Sequence, residues 1–97
     1  MQTQCGVKFQ VMGRVQGVGY RYFTLTVARK LNLCGYVQNE TDGSVSGVAV
    51  GDKESLNKLG EYLQEGPPLS KVNQVQFEEL QSLALTDLEQ DEFQIRK

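Results

Sequence analysis

Residues Gly13–Arg21 have the sequence GRVQGVGYR and join a strand-like run to a helix-like run. Glycine lacks a Cβ, so three glycines allow a tight turn in which consecutive amides point inward. Arg21 closes the stretch at the expected first turn of the helix, where free amides and the helix dipole favour an anion. By itself the stretch predicts either a simple chain reversal or a cradle for one tetrahedral oxyanion such as phosphate.

Three known kinds of phosphate site do not fit this stretch. A Walker A loop ends in Gly-Lys-Ser/Thr, whereas Gly19 is followed by Tyr20 and Arg21. The dinucleotide fingerprint requires the spacing Gly-x-Gly-x-x-Gly, which the glycines here do not have. A cysteine phosphatase would have an arginine six residues after its nucleophile, and neither cysteine of this chain is followed by one there.

The flanking residues predict a strand before the loop and a helix after it. Val7, Phe9 and Val11 alternate with polar or flexible residues, as in a half-buried strand. After the loop, apolar residues recur at helical spacing over a helix from about Tyr22 to Asn32. We assign its aromatic residue Phe23 to the core.

The rest of the chain predicts a hairpin, a second helix and two further strands. A strand from about Cys34 to Glu40 enters a Thr-Asp-Gly-Ser turn, and Gly47 in the following strand suggests a β-bulge. Asp52 is a suitable N-cap for a helix that ends at Gly66. A fourth strand then contains Val72, Val75 and Phe77, an acidic connection covers residues 87–92, and a short strand contains Phe93, Gln94 and Ile95.

This order is β-α-β-β-α-β with a short extra C-terminal strand. It predicts an α+β, ferredoxin-like sandwich in which an antiparallel sheet carries both helices on one face. In that topology the loop after the first strand and the end of the second strand lie at the same edge of the sheet. Asn39 ends the second strand on the helix-facing side, so we expect it beside Arg21. An asparagine before a turn is also a common turn former, and that alternative stays open.

Length and charge exclude several classes of protein. The 97 residues allow one modest core, so we expect residues 1–97 to form a single domain. A formal net charge of −2 argues against nucleic-acid or membrane-surface binding. No apolar run approaches the roughly 20 residues of a membrane span. The first residues carry no recognisable signal sequence, so we expect a cytoplasmic protein.

The chain contains no histidine. This excludes a phosphohistidine intermediate, a Ser-His dyad and a histidine-ligated metal site. Its two cysteines, Cys5 and Cys34, form no CxxC pair and are expected to be small apolar residues. The topology places them two strands apart, about 9.5 Å, which is beyond the reach of a disulfide.

Two long motifs in the right order resemble the acylphosphatase family. They are GRVQGVGYR at 13–21 and GYVQN at 35–39, followed by DGSV at 42–45, and the likeness continues through Gly66-Pro67-Pro68 to the FQI ending. The resemblance covers nearly the whole chain. It implies a small, metal-independent hydrolase without a cofactor, which cleaves the carboxyl–phosphate bond of small acyl phosphates and is inhibited by phosphate or sulfate. A monomer is expected.

The resemblance also implies the residues of the site. Arg21 would bind the substrate phosphate, and Asn39 would orient the attacking water. The loop amides that surround the phosphate would come from Val15, Gln16, Gly17, Val18, Gly19 and Tyr20. Two positions depart from the family pattern, which usually has phenylalanine at Tyr20 and often a bulkier aromatic residue at Tyr36.

Three other functions remain open at this point. The same cradle would serve a non-catalytic module that binds a phosphorylated ligand or a protein. The chain also resembles the acylphosphatase-like domains attached to carbamoyl-transfer enzymes, which suggests carbamoyl phosphate as a substrate. An RNA-recognition module shares the architecture, but residues 44–50 of the third strand carry no aromatic side chain for base stacking.

Overall fold

The computed structural model describes residues 5–80 and 93–96. Their secondary structure follows the predicted order. The elements are β1 (Cys5–Arg14), α1 (Tyr20–Lys30), β2 (Cys34–Asn39), β3 (Val45–Gly51), α2 (Lys53–Glu65), β4 (Lys71–Glu79) and β5 (Gln94–Arg96). The predicted acidic connection at residues 87–92 lies outside the described residues.

The five strands form one sheet in the order β4-β1-β3-β2-β5. The first four are antiparallel to their neighbours, and β5 pairs parallel with β2. The ferredoxin-like α+β prediction is confirmed, with β5 making the sheet mixed. Strand β3 separates β1 from β2, as predicted, and Cys5 and Cys34 are both free thiols.

The core lies between one face of the sheet and the two helices, which also contact each other. Alternate residues of the strands supply its sheet side, because successive side chains of a strand point to opposite faces. They include Phe9, Val11, Val37, Val45 and Ala49, and the helices add Val27, Ala28, Leu56, Leu59 and Leu63. The same core therefore fixes both helix positions relative to the ends of β1 and β2.

Helix α1 begins two residues before the predicted start and ends two residues before the predicted end. It begins early because Gly19, at φ 82°, turns the chain so that Tyr20 already has helical geometry. It ends early because Asn32 adopts a left-handed conformation, with φ 60°. Neither α1 nor any other helix in the described part of the chain is long and apolar enough to cross a membrane.

The β-bulge prediction at Gly47 is wrong. Gly47 pairs in register with Phe9 on one side and with Val37 on the other. A Cβ at Gly47 would collide with the main-chain oxygen of Tyr36 and would lie 2.6 Å from Cζ of Phe9, so close packing explains the glycine. The alternation in β3 breaks because this central strand is buried on both faces, as the exposures of Val48 (8%) and Val50 (2%) show.

The register shift occurs instead between Met12 and Gly13, where β1 pairs with β4. Gly13 has φ 130°, and a Cβ there would collide with the main chain at Lys71 and Asn73. Gly13 therefore serves the bulge and the close approach of β4. Of the three glycines in the opening stretch, Gly17 and Gly19 alone belong to the loop that follows.

Candidate active site

A cavity of about 200 Å³ opens where the loop after β1 meets the end of β2. The loop, the first turn of α1 and two strands of the sheet all contribute to it. Its lining residues are Val15, Gly17, Gly19, Tyr20, Arg21, Tyr22, Asn39 and Ile95. The fold thus brings the glycine loop, Arg21 and Asn39 to one place, since β1 and β2 end at the same edge of the sheet.

Two glycines shape the rim of this cavity. Gly17 and Gly19 have φ values of 75° and 82°, in the left-handed region that L side chains rarely adopt. A Cβ on either glycine would meet no atom within 4 Å. These glycines are therefore required by backbone conformation and not by packing, and the alternation of backbone hand across residues 17–19 is typical of anion-binding nests.

No side chain in the first turn of α1 balances the partial positive charge that the helix dipole places at its amino terminus. Gly19 is the N-cap and offers no side-chain acceptor, and the first turn contains no acidic residue. The first helical bond runs from Phe23 N to Gly19 O, so the amides of the preceding turn have no acceptor within the helix. By contrast, α2 is capped by Asp52, which accepts a hydrogen bond from Ser55 N at 2.8 Å.

Arg21 lies in this first turn of α1 and lines the cavity with a half-buried side chain. Its guanidinium makes no hydrogen bond or ion pair with any residue in the described ranges 5–80 and 93–96. A planar, permanently charged group with two adjacent donors can bind two oxygens of one anion. Free donors of α1 and an unpaired cation therefore face the same small space.

Asn39 supplies the polar group on the sheet side of the cavity. It pairs with Val45 across the ladder and follows Val37 on the helix-facing side of β2. Its Oδ1 is buried and has no hydrogen-bond partner among the residues that the structure describes. An unpartnered buried acceptor costs on the order of 1–3 kcal/mol, so this atom is suited to accept a hydrogen bond from a molecule in the cavity.

The remaining predicted loop residues occupy three different environments. Gln16 turns away from the cavity, and its Nε2 donates to the main-chain oxygens of Glu40 (2.8 Å) and Ser44 (2.9 Å). Val18 is half-buried against the core and does not line the cavity. Tyr20 contributes a cavity-lining position, but its ring is 1% exposed and belongs to the core.

The hydroxyl of Tyr20 donates to Leu63 O at 2.5 Å and so connects the start of α1 to the end of α2. Burial raises the pKa of this hydroxyl, which keeps it a neutral hydrogen-bond donor. Tyr20, which stands where the family usually has phenylalanine, therefore affects the packing beneath the loop. Tyr36, the other departure, lies on the sheet face away from the helices, with the Arg96 guanidinium 3.7 Å from its ring centre.

Sequence reasoning missed two lining residues, Tyr22 and Ile95. Tyr22 comes directly after Arg21 and is 70% exposed, so it lies outside the apolar stripe of the helix. Ile95 reaches the cavity because β5 pairs parallel with β2, where Ile95 lies opposite Val37. β5 has only three residues, and so short a pattern does not indicate which strand it pairs with or in which direction it runs.

A larger hollow of about 700 Å³ lies mainly on the opposite face of the sheet. Its charged lining residues are Lys8, Glu40, Asp42 and Glu78, so carboxylates predominate. Hydrogen bonds from Ser46 and Gln38 lower the pKa of Glu40, and those from Ser44 lower the pKa of Asp42. Both groups are thus anionic at neutral pH, and this surface is unfavourable for an anionic ligand.

The chain matches a known protein family over most of its length. The acylphosphatase family model matches residues 7–95. The chain belongs to the acylphosphatase family. A family member from Aliivibrio fischeri, an acylphosphatase, is 44% identical over 85 residues, which cover 88% of this chain and 94% of that protein.

Solved structures of the family have the same fold. The crystal structure of acylphosphatase from Bacillus subtilis superposes with a TM-score of 0.87 at 36% identity, covering 96% of this chain and 99% of that one. The acylphosphatase from Coxiella burnetii gives 0.84 at 36% identity, covering 96% and 93% of the two chains. Membership of this family indicates a hydrolase with a small-molecule substrate, as the sequence motifs predict.

Proposed function

We propose that the protein hydrolyses the carboxyl–phosphate bond of small acyl phosphates to a carboxylate and inorganic phosphate. The observation that carries this proposal is that Arg21, the free amides of α1 and the unpartnered Oδ1 of Asn39 lie around one cavity. Family membership supports the reaction class.

Arg21 and the loop amides bind the phosphoryl group. Two guanidinium N–H groups donate to two of its oxygens, and amides of the stretch Val15–Tyr20 surround the remaining charge. These donors are held in position by the fold before substrate arrives, so they stabilise charge in the transition state without reorganising. A dense set of fixed donors is what phosphoryl transfer requires, because the reaction needs mainly positioning and charge stabilisation.

Asn39 orients the water. A water that donates a hydrogen bond to Oδ1 of Asn39 presents a lone pair to the phosphorus atom. As the new P–O bond forms, the bond between phosphorus and the carboxyl oxygen breaks, and its electron pair leaves with the carboxylate. An amide cannot take the proton of the water at neutral pH, so that proton goes to an oxygen of the phosphoryl group.

The reaction proposed here needs no metal ion. Carboxylate is a good leaving group, and Arg21 provides the positive charge that a metal would otherwise supply. The sequence has no histidine, and within residues 5–80 and 93–96 no group of three or more acidic or cysteine side chains is placed to hold a metal. All the lining residues come from one chain, so a monomer would be competent.

The test is the release of inorganic phosphate from benzoyl phosphate by the purified protein in excess chelator. We expect turnover, inhibition by added phosphate or sulfate, and a loss on the order of 10²–10³-fold in Arg21→Ala. Arg14→Ala is the matched control, because Arg14 is exposed at the end of β1 and does not line the cavity. Binding of phosphate that depends on Arg21, without turnover by the intact protein, would instead identify a binding module.

A further inference from the structure

The ring of Tyr22 is unexplained by the fold. It is 70% exposed at the first turn of α1, and in the described part of the chain it contacts no other aromatic ring and its hydroxyl has no hydrogen-bond partner. The neighbouring tyrosines differ. Tyr20 is buried with its hydroxyl bonded to Leu63 O, and Tyr62 packs edge-on against Phe23 at a centroid distance of 6.4 Å.

Tyr22 nevertheless lines the candidate active site. The cavity lies between two layers of the fold. Asn39 and Ile95 belong to the sheet layer, where β2 and β5 are neighbours, whereas Arg21 and Tyr22 belong to the helix layer. The largely exposed Tyr22 therefore belongs to the layer of the cavity opposite the amide that we assign to the water.

The stereochemistry of phosphoryl transfer makes this arrangement significant. The attacking and leaving oxygens lie roughly in line on opposite sides of phosphorus. Water held by Asn39 approaches from the sheet layer, so the leaving carboxylate, with the rest of the acyl group, points away from that layer. The acyl group then extends toward the exposed ring of Tyr22.

We propose that Tyr22 is a specificity residue that stacks against the acyl group and favours acyl phosphates with a flat, aromatic acyl group. This inference rests on the proposed function and adds the class of acyl group to it. A tyrosine side chain has only two χ angles to fix, so its ring loses little conformational freedom on binding. Offset stacking of two rings contributes a two- to tenfold preference, and an acetyl group, which has no ring, gains none of it.

The experiment compares kcat/KM for benzoyl phosphate and acetyl phosphate in the wild-type protein, Tyr22→Ala and Tyr22→Phe. We expect Tyr22→Ala to lower the benzoyl-to-acetyl ratio of kcat/KM by two- to tenfold, mainly through KM for benzoyl phosphate. Tyr22→Phe keeps the ring and should keep the wild-type ratio. Leu69→Ala is the matched control, because Leu69 is 76% exposed and does not line the cavity.

A ratio that stays at the wild-type value in Tyr22→Ala overturns the proposal, whether kcat/KM for the two substrates is unaltered or falls equally. Loss of the ratio in Tyr22→Phe would also overturn it, since the hydroxyl and not the ring would then be responsible. Failure of the proposed function has a different signature, because the wild-type protein would then hydrolyse neither substrate.

Discussion

The side-chain amide of Gln16 lies 2.8 Å from the main-chain oxygen of Glu40, the residue that follows Asn39. The same nitrogen donates to Ser44 O at 2.9 Å, on the other side of the β2–β3 turn. One side chain thus connects the loop that carries the candidate phosphate cradle to the strand end that carries the candidate water-orienting amide. The separation in sequence is 24 residues. We infer that Gln16 is a positioning residue for the site.

Gln16→Ala should lower kcat for benzoyl phosphate by about 10- to 100-fold, because small misplacements of reacting groups cost rate steeply. It should also reduce the free energy of unfolding by about 1–3 kcal/mol for two lost hydrogen bonds. Steady-state kinetics and denaturant unfolding measure both effects. Gln10→Ala is the matched control, since it removes a 3.0 Å hydrogen bond to Ser44 Oγ from the opposite sheet face. A wild-type kcat in Gln16→Ala would contradict the positioning role.

Asn39→Ala should abolish most of the turnover without lowering stability. The substitution removes a buried acceptor that has no partner among the described residues, so the folded state loses no hydrogen bond that they supply. Asn39→Asp should also be slow, since a carboxylate repels the substrate phosphate. Kinetics and thermal unfolding of both variants test this, with Gln38→Ala on the opposite face of β2 as control. Higher activity in Asn39→Asp would show that the residue is not an orienter.

Gly19→Ala and Gly43→Ala should have the same effect on stability and different effects on activity. Both glycines have positive φ, 82° and 94°, and a Cβ on either would meet no atom within 4 Å. Each substitution should therefore cost about 1–2 kcal/mol of backbone strain. Of these two glycines, Gly19 lines the cavity and Gly43 does not. The Gly19 variant alone should therefore raise KM and weaken inhibition by phosphate. Equal kinetic losses in the two variants would argue against a cradle formed by the loop.

Tyr20→Phe should reduce the free energy of unfolding by about 1 kcal/mol while leaving kcat within a fewfold of wild type. The hydroxyl donates to Leu63 O within the core, and its removal leaves that carbonyl without this donor. The ring itself, which carries the packing, is retained. Denaturant unfolding and benzoyl phosphate kinetics check the two parts. A large loss of kcat would mean that the hydroxyl acts in the site, which its burial argues against.

Stability should fall as the pH drops below about 4, and Asp52 should contribute to the fall. The hydrogen bond from Ser55 N lowers the pKa of Asp52 from its ordinary 3.8. Its contribution is fully present above 3.8 and disappears as the pH falls through the lower, folded-state pKa. Asp52→Asn keeps a cap but does not titrate, so its unfolding free energy should depend less steeply on pH. An acid profile identical to wild type would exclude this contribution.

Much of the fold follows from local patterns. Alternation in β1, the helical stripes of α1 and α2, the Asp-Gly turn and the cap at Asp52 each predict an element that the structure contains. The bulge was predicted at the wrong place, because Gly47 is required by the Tyr36 main-chain oxygen and the Phe9 ring on the neighbouring strands and not by its own strand. A packing constraint between distant segments leaves no distinctive local pattern.

The amino-acid sequence was enough to predict the order of the elements, the family and the glycines and arginine of the candidate cradle. Periodicity, capping and positive φ act over a few neighbouring residues, so they can be recognised in the chain. Three features required the folded structure: β5 runs parallel to β2, Gln16 joins the loop to the β2–β3 turn, and Tyr22 is exposed at the cavity. Those features depend on which distant segments come into contact once the core has packed.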